Sequence, residues 1–324
     1  MFKFSRIASV LIGASLLAAP MIGHSAGKPG EITPAASVNL TGGSSTTWNV
    51  IDNGGTDNGL PSGGACNAGA QASMSDAQTP SKSDAFDYGM MYWVNNAPVG
   101  GALTQSGNTV TFASQTISGL TVSLRYTALA TDPVARSYLS LSNATGAAIS
   151  VPVTYVTNMG SDSNTQFLST SSGDTTVGTN DKWVISADST TSPSDPVNTT
   201  VLFSGTPAVT PSTVSTTVFS CAATPGVLAT YNVTVPAGGT IAIANFQRID
   251  DSIAAANAAA SSFDNLTSTS PLLAGLSPSE VSAIRNIGVE PPAQVPAGNS
   301  ATWIALAALL AALAGFATRR RVRA

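Results

Sequence analysis

From Tyr88 to Phe246 the chain repeats one pattern: a short run rich in aromatic or β-branched residues, then Gly, Asn, Asp or Pro. The runs include "YGMMYWV" (Tyr88 to Val94), "TVTFAS" (Thr109 to Ser114), "LTVSLRYTAL" (Leu120 to Leu129), "RSYLSLSN", "ISVPVTYVTN", "KWVISAD", "TVLFSG" and "TTVFSC". Alternation with a period of two places apolar side chains on one face of an extended strand and polar ones on the other. About ten such runs with no helical stretch between them exclude a parallel sheet, which needs crossover helices, and predict an all-β, antiparallel β-sandwich. One hairpin is expected where "ATYNVTV" and "TIAIANF" flank Pro236-Ala237-Gly238-Gly239, with Tyr231, Val233 and Val235 sharing a face and Ile241 and Ile243 lining the return strand.

Composition changes on either side of this region. Residues 27–87 are rich in Gly, Ser, Asn and Asp and read as loop, with a strand near Thr46 to Ile51. The sandwich is expected over 88–249, followed over 250–288 by two short helices packed on its edge. The first lies in the alanine-rich "DDSIAAANAAASSF" (Asp250 to Phe263). The second lies in "SPSEVSAIRNIG", where Ser277 is the N-cap, Pro278 the first helical residue, Glu280 the partner in a capping box and Gly288 the stop. Residues 289–300 form a Pro-rich, extended linker.

The two ends carry location signals. Lys3 and Arg6 precede an apolar stretch from Ile7 to Ile22, and small residues follow, as in a secretory signal peptide cleaved after Ala26; the alternative is an uncleaved anchor. At the other end, Ala301 to Thr318 has no charged residue. As a helix at ~1.5 Å per residue this tail spans roughly 27 Å, near the ~30 Å hydrocarbon core. Trp303 suits the headgroup layer at one end. Arg319, Arg320, Arg321 and Arg323 at the other favour the cytoplasmic side. A single C-terminal transmembrane helix is therefore expected over 301–324, with membrane as partner; a buried amphipathic helix would need a polar face that this stretch lacks.

Between the ends, from Gly27 to Ser300, seventeen acidic residues face seven basic ones, a net charge of −10 hidden within the overall −4. An acidic, charge-poor body has no electrostatic footprint for nucleic acid. The single histidine, His24, falls inside the export signal, so the mature body lacks the imidazole needed for Ser-His-Asp or Cys-His nucleophile systems and His-rich zinc sites. No phosphate-cradling loop or dinucleotide fingerprint is present, and neither metal nor cofactor is expected. Paired aspartates remain as candidate acid and base, Asp162 with Asp174 or Asp181, but "GSDSN", "SSGDT" and "TNDKW" are equally good turn sequences. These acids and "DNGGTDNG" (Asp52 to Gly59) offer hard oxygen ligands for calcium, with structural turns the simpler reading. Tyr92, Trp93, Tyr126 and Trp183 are candidates for stacking on sugar rings, Trp93 and Trp183 foremost, although aromatics on strands are usually core. Cys66 and Cys221 would be exported to an oxidising compartment, where a disulfide between them or two separately buried thiols are both open.

Val295-Pro296, a polar spacer, Trp303, an Ala/Leu helix, "GFA" at Gly315 to Ala317 and the terminal arginines together resemble the bacterial sorting tags called PEP-CTERM and IPTL-CTERM. Here Val295-Pro296-Ala297-Gly298 stands where the first family has Val-Pro-Glu-Pro. The resemblance implies a membrane protease of the exosortase type as partner, reading a motif of Val295, Pro296, Trp303 and the four arginines. The alternative is a plain type I anchor. "DKWVISAD", "VPAGGTIAIANF" and "LLAGLSPSEVSAIRNIG" look like segments of exported bacterial β-sandwich proteins without an assigned activity. The expectation is an exported, non-enzymatic protein of a Gram-negative cell envelope or extracellular matrix, structural or adhesive, with exopolysaccharide as a further partner. A carbohydrate-binding module and an aspartate-based hydrolase are the rival readings.

Overall fold

The alternation written into the sequence becomes burial. In "LTVSLRYTA", Leu120, Val122, Leu124, Tyr126 and Ala128 are buried, while Thr121 is exposed and Ser123, Arg125 and Thr127 are only half covered. A computed structural model describes residues 36–52, 72–219 and 224–288. They form mostly antiparallel β-sheet with few helices, an all-β chain.

Three sheets are present. The first joins β1 (Ala36–Thr41), β2 (Thr47–Asp52) and β3 (Ala72–Gln78) in that order. The second has five strands, drawn from β4 (Met91–Val94), β5 (Ala97–Pro98), β11 (Ile149–Asn158), β15 (Thr213–Phe219) and β16 (Thr224–Val235), ordered β15-β16-β11-β4-β5. The third has nine strands: β6 (Leu103–Ser106), β7 (Thr109–Phe112), β8 (Gln115–Ile117), β9 (Leu120–Ala128), β10 (Val134–Ser142), β12 (Gln166–Thr170), β13 (Trp183–Ala187), β14 (Val197–Val201) and β17 (Thr240–Asp250). Their order is β12-β13-β14-β17-β10-β9-β7-β6, with β8 also paired to β9. Every ladder is antiparallel.

One apolar core draws on all three sheets: Leu40 and Trp48 from the first, Val94, Tyr155 and Val233 from the second, Leu124, Leu139 and Ile243 from the third. Strand β17 is buried on both faces. Ile241, Ile243 and Ile249 point into that core. Ala242, Ala244 and Phe246 face a second cluster with Phe263, Leu266, Leu272, Leu273, Ile284 and Ile287 from the C-terminal segment. Helix α1 (Ile253–Ala260) lays Ala256 and Ala260 on Ile185, Ala187 and Val197. Helix α2 (Pro278–Ala283) starts with the expected capping box: Ser277 accepts from the Glu280 amide and Glu280 accepts from the Ser277 amide. It ends at Ala283 rather than continuing to Gly288, because residues 284–288 turn to run along β17.

Two expectations need correction. The "ATYNVTV" and "TIAIANF" strands do not form a hairpin. β16 pairs with β11 and β15, and β17 with β10 and β14, so the Pro236–Gly239 turn carries the chain from one sheet to another. Alternation and a Gly-containing turn are common to a hairpin and to such an arch; which partners bond is decided by strands far away in sequence. Within the Gly/Ser-rich N-terminal region, the described residues 36–52 and 72–87 also hold more strand than their composition suggests. Beside the expected strand at Thr47–Asp52, "ASVNLT" and "ASMSDAQ" pair with it on either side, residues too small and polar to announce themselves as strands.

A strap at 84–90 ties these sheets together. Met74 bridges to Gly89, and Phe86 to Met159. Asn198 Nδ2 donates to Ala85 O at 3.1 Å, and Asn158 Nδ2 to Asp87 O at 2.7 Å. The Tyr126 hydroxyl donates to Met90 O at 2.6 Å. Three non-glycine residues here adopt left-handed φ: Asp84 at 74°, Tyr88 at 73° and Met90 at 57°. Such conformations cost roughly 1–3 kcal/mol each and persist when surrounding contacts over-determine them. Asp76 is one such contact: its Oδ1 accepts from the amides of Ala77 (2.6 Å), Ala85 (2.9 Å) and Phe86 (3.4 Å). Gly160 is another, since a Cβ there would lie 2.1 Å from Asp84 O.

Among the described residues no helix is long and apolar enough to cross a membrane. The expected tail helix at 301–318, the signal peptide, Val295, Pro296, Trp303, Arg319, Arg320, Arg321, Arg323, Cys66 and Cys221 all lie outside the described residues.

Candidate functional site

The polar ladder of the core comes first, because its groups bond one another across two sheets. Tyr92, Tyr126, Tyr155 and Tyr231 are entirely buried. The Tyr92 hydroxyl bonds Ser137 and donates to Asn245 Oδ1 at 2.9 Å; Asn245 Nδ2 donates to the Tyr231 hydroxyl at 2.9 Å, and Tyr231 donates to Leu202 O at 2.8 Å. Next along β17, Gln247 Nε2 lies within hydrogen-bond distance of Tyr155 (2.9 Å), Thr157 (3.1 Å) and Thr200 (3.0 Å), and shares its two N–H groups among them. Asn245 and Gln247 are two apart on one strand, so both aim at the facing sheet. Burial pushes all four phenols up, Tyr155 to about 12, and they remain neutral hydrogen-bond partners at ordinary pH. This ladder bolts sheet to sheet.

A second polar assembly lies at the surface where α2 meets the nine-stranded sheet. Glu280, held in the capping box, accepts through Oε2 from the Ser277 amide at 2.8 Å and hydroxyl at 2.9 Å, and through Oε1 from Arg125. Burial pushes the Glu280 carboxyl up, but the Ser277 groups and the Arg125 guanidinium together hold it below the usual range. Arg125 also lies over the Tyr138 ring, 4.9 Å from its centre, a cation–π contact. The Tyr138 hydroxyl donates to Glu280 O at 3.2 Å. Arg136, on the same face of β10, is buried and donates to Leu272 O (2.8 Å) and Ala274 O (2.9 Å); burial, then the neighbouring Arg125, push it down to about 10.

Residues 284–288 complete this corner. β14 ends at Val201, opposite Phe246, so the stretch of β17 before it has no strand on that side. The C-terminal segment takes the vacant edge. The Arg285 amide donates to Ala242 O at 2.9 Å, while Asn286 accepts from the Ala244 amide at 2.9 Å and donates to Ala244 O at 2.7 Å. Two shallow clefts meet here, of about 360 and 380 Å³. Tyr138, Thr240, Ser279, Glu280 and Ser282 line one; Val209, Asn232, Thr234 and Pro236 line the other; Arg285 lines both.

The residues singled out from the sequence fall elsewhere. Trp93 is 1% exposed, packed among Met91, Val156, Val218 and Leu228, so its ring faces offer nothing to a sugar. Trp183 is half-buried beneath the C-terminal segment, its Nε1 donating to Asp264 Oδ1 at 2.9 Å. Tyr92 and Tyr126 are core. Asp174 and Asp181 sit in one loop, each capping backbone: Asp174 Oδ1 accepts from the Thr176 amide at 2.9 Å, and Asp181 Oδ2 from Gly178 at 2.7 Å. Asp162 opens a separate one-turn helix before β12. No group of three metal-ligating side chains occurs among the described residues. The corner around Arg285 was not foreseen. Its Arg125, Tyr138, Glu280 and Arg285 come from three separate stretches of sequence, and the one local signal was the capping box that fixes Glu280.

No family model and no curated protein matches the chain. One solved structure to which it is similar is a TPR-domain containing protein from Parabacteroides distasonis, at 9% identity and a TM-score of 0.35, covering 64% of this chain and 46% of that one. The chain thus spans less than half of that protein's length, and a likeness of this degree carries no argument about fold or function.

Proposed function

We propose that this is an exported β-sandwich protein with a structural or adhesive role in the envelope or extracellular matrix of a Gram-negative bacterium, delivered by its N-terminal signal and held or processed through its C-terminal sorting tag. The observation that carries the reading is how the body uses its polar side chains. The tyrosine, asparagine and glutamine ladder locks two sheets together, and the carboxylates of Asp76 on β3 and of Asp174 and Asp181 in a loop accept from backbone amides. A body held rigid in this way suits load-bearing or display. The acidic charge of the body and the apolar, arginine-terminated tail support the same reading from the sequence.

Intact mass spectrometry of the protein from fractionated cells tests it. A chain starting near Gly27 in the envelope or medium fraction, ending before Ala324 if the tag is processed, is the expected result. A cytoplasmic chain retaining residues 1–26 would sink the proposal. A chain in the envelope that still ends at Ala324 would replace processing with anchoring.

A further inference from the structure

Six basic side chains fall among the described residues, and five are engaged. Lys82 donates to Pro193 O at 2.7 Å, and Lys182 to Asp264 O at 2.9 Å. Arg125 pairs with Glu280, Arg136 holds Leu272 O and Ala274 O, and Arg248 grips Asp250 through two bonds of 2.7 and 2.8 Å. The Arg285 guanidinium alone makes no hydrogen bond or ion pair with any described residue, although it is half-buried at the meeting of two clefts. Its backbone, by contrast, is fixed. The amide donates to Ala242 O, the carbonyl accepts from the Val209 amide at 2.9 Å, and buried Ile284 and Asn286 flank it. The position is built and the charge is left open.

The surroundings define what would fit. Arg125 pairs with Glu280, Arg136 lies close to both, and Arg285 lines the same cleft as Glu280, so three arginines and one carboxylate share this corner of a body of net −10. A guanidinium on a fixed stem is a bidentate partner for a carboxylate. The first cleft is lined by Thr240, Ser279 and Ser282, and the second, more apolar, by Val209, Pro236, Thr234 and Asn232; the four hydroxyls already bond Ser142, Ser277, Ser279 O and Ser150, and each keeps acceptor capacity for the hydroxyls of a ligand. A ligand combining a carboxylate with several hydroxyls, long enough to run from one cleft into the other, is an acidic saccharide chain.

We propose that Arg285 and the two clefts it joins bind a uronic-acid-bearing polysaccharide, with Arg285 holding one carboxylate and the flanking hydroxyls and Asn232 reading the adjacent sugar. The inference deepens the matrix reading above and rests on it for the source of the glycan. It is tested on purified protein, so its failure is distinct from a failure of localisation.

The probe is hexagalacturonate, titrated by calorimetry against the chain as isolated from cells, with maltohexaose as a neutral sugar and sodium acetate as a bare carboxylate. Binding of hexagalacturonate is expected at low salt, with maltohexaose and acetate at least tenfold weaker. Arg285→Ala should weaken it at least tenfold with an unchanged melting temperature, Arg285→Lys should restore part of the loss, and raising the salt should weaken the wild type more than Arg285→Ala. If Arg285→Ala perturbs the fold, Arg285→Gln and Thr240→Val replace it, the first expected to act like Ala and the second to weaken hexagalacturonate but not acetate. No binding of hexagalacturonate, binding indifferent to Arg285, or equal binding of maltohexaose or acetate overturns the proposal.

Discussion

Replacing Asp76 by asparagine should stabilise the protein at neutral pH and do nothing for it in acid. The Asp76 carboxyl sits between β3 and the strap; burial pushes it up from 3.8 to about 6 against the pull of the Ala77, Phe86, Ala85 and Asp84 amides. Lys82, Asp84 and Asp87 are the charged residues of the segment it contacts. The folded-state value lies above the unfolded one, so the stability linked to this group is fully present below about pH 3.8 and is lost as pH rises through about 6. At pH 7.5 the fold bears an ionised, part-buried carboxylate. A shift from 3.8 to about 6 corresponds to at most ~3 kcal/mol at 1.36 kcal/mol per unit, and partial exposure reduces this to about 1–2 kcal/mol. Asparagine keeps an oxygen for the Ala77, Ala85 and Phe86 amides and removes the charge. Denaturant melts of wild type and Asp76→Asn at pH 7.5 and 3.0 measure the effect. The variant should gain about 1–2 kcal/mol at pH 7.5, or roughly 2–8 °C in melting temperature, and nothing at about pH 3, below the unfolded value. A variant less stable than wild type at pH 7.5 would refute the reasoning, because it would mean that the amides outweigh burial and the carboxylate is a net stabiliser.

Other consequences follow from the same geometry. Tyr92→Phe leaves Asn245 Oδ1 without its donor in the core, an expected loss of about 1–3 kcal/mol in equilibrium unfolding; an unchanged midpoint would mean that the ladder adds nothing. Ser277→Ala removes the cap of α2, costing about 1 kcal/mol and letting the Glu280 pKa rise in an NMR titration, whereas a pKa that stays put would assign its depression to Arg125 alone. Gly160→Ala pushes a methyl group into Asp84 O and should destabilise by about 1–3 kcal/mol, with amide exchange accelerating first in the strap.

Much of this architecture is legible along the chain. Ile149–Asn158 forms one strand over the same ten residues that the sequence marks, and Leu120–Ala128 alternates in burial residue by residue, because a strand with one buried face must alternate. The capping box at Ser277 and Glu280 was visible because its bonds join residues three apart. The arch at Pro236–Gly239, the pairing of "ASVNLT" and "ASMSDAQ" with β2, and the edge completed by 284–288 were not, since each depends on which distant segment supplies the partner. The candidate site has the same limitation more sharply. That Arg285 carries a charge is a property of its residue type; that it alone among the described cations is left unpaired follows only when β9, β10, β17 and α2 converge and five other cations have found their partners. Sequence by itself set the period of each strand, the caps of the helices and the charge of the body, because these are local or summed quantities. Tertiary structure alone decided which strands bond, which aromatics are covered and which charge stays open, because each is a competition among groups far apart in the chain.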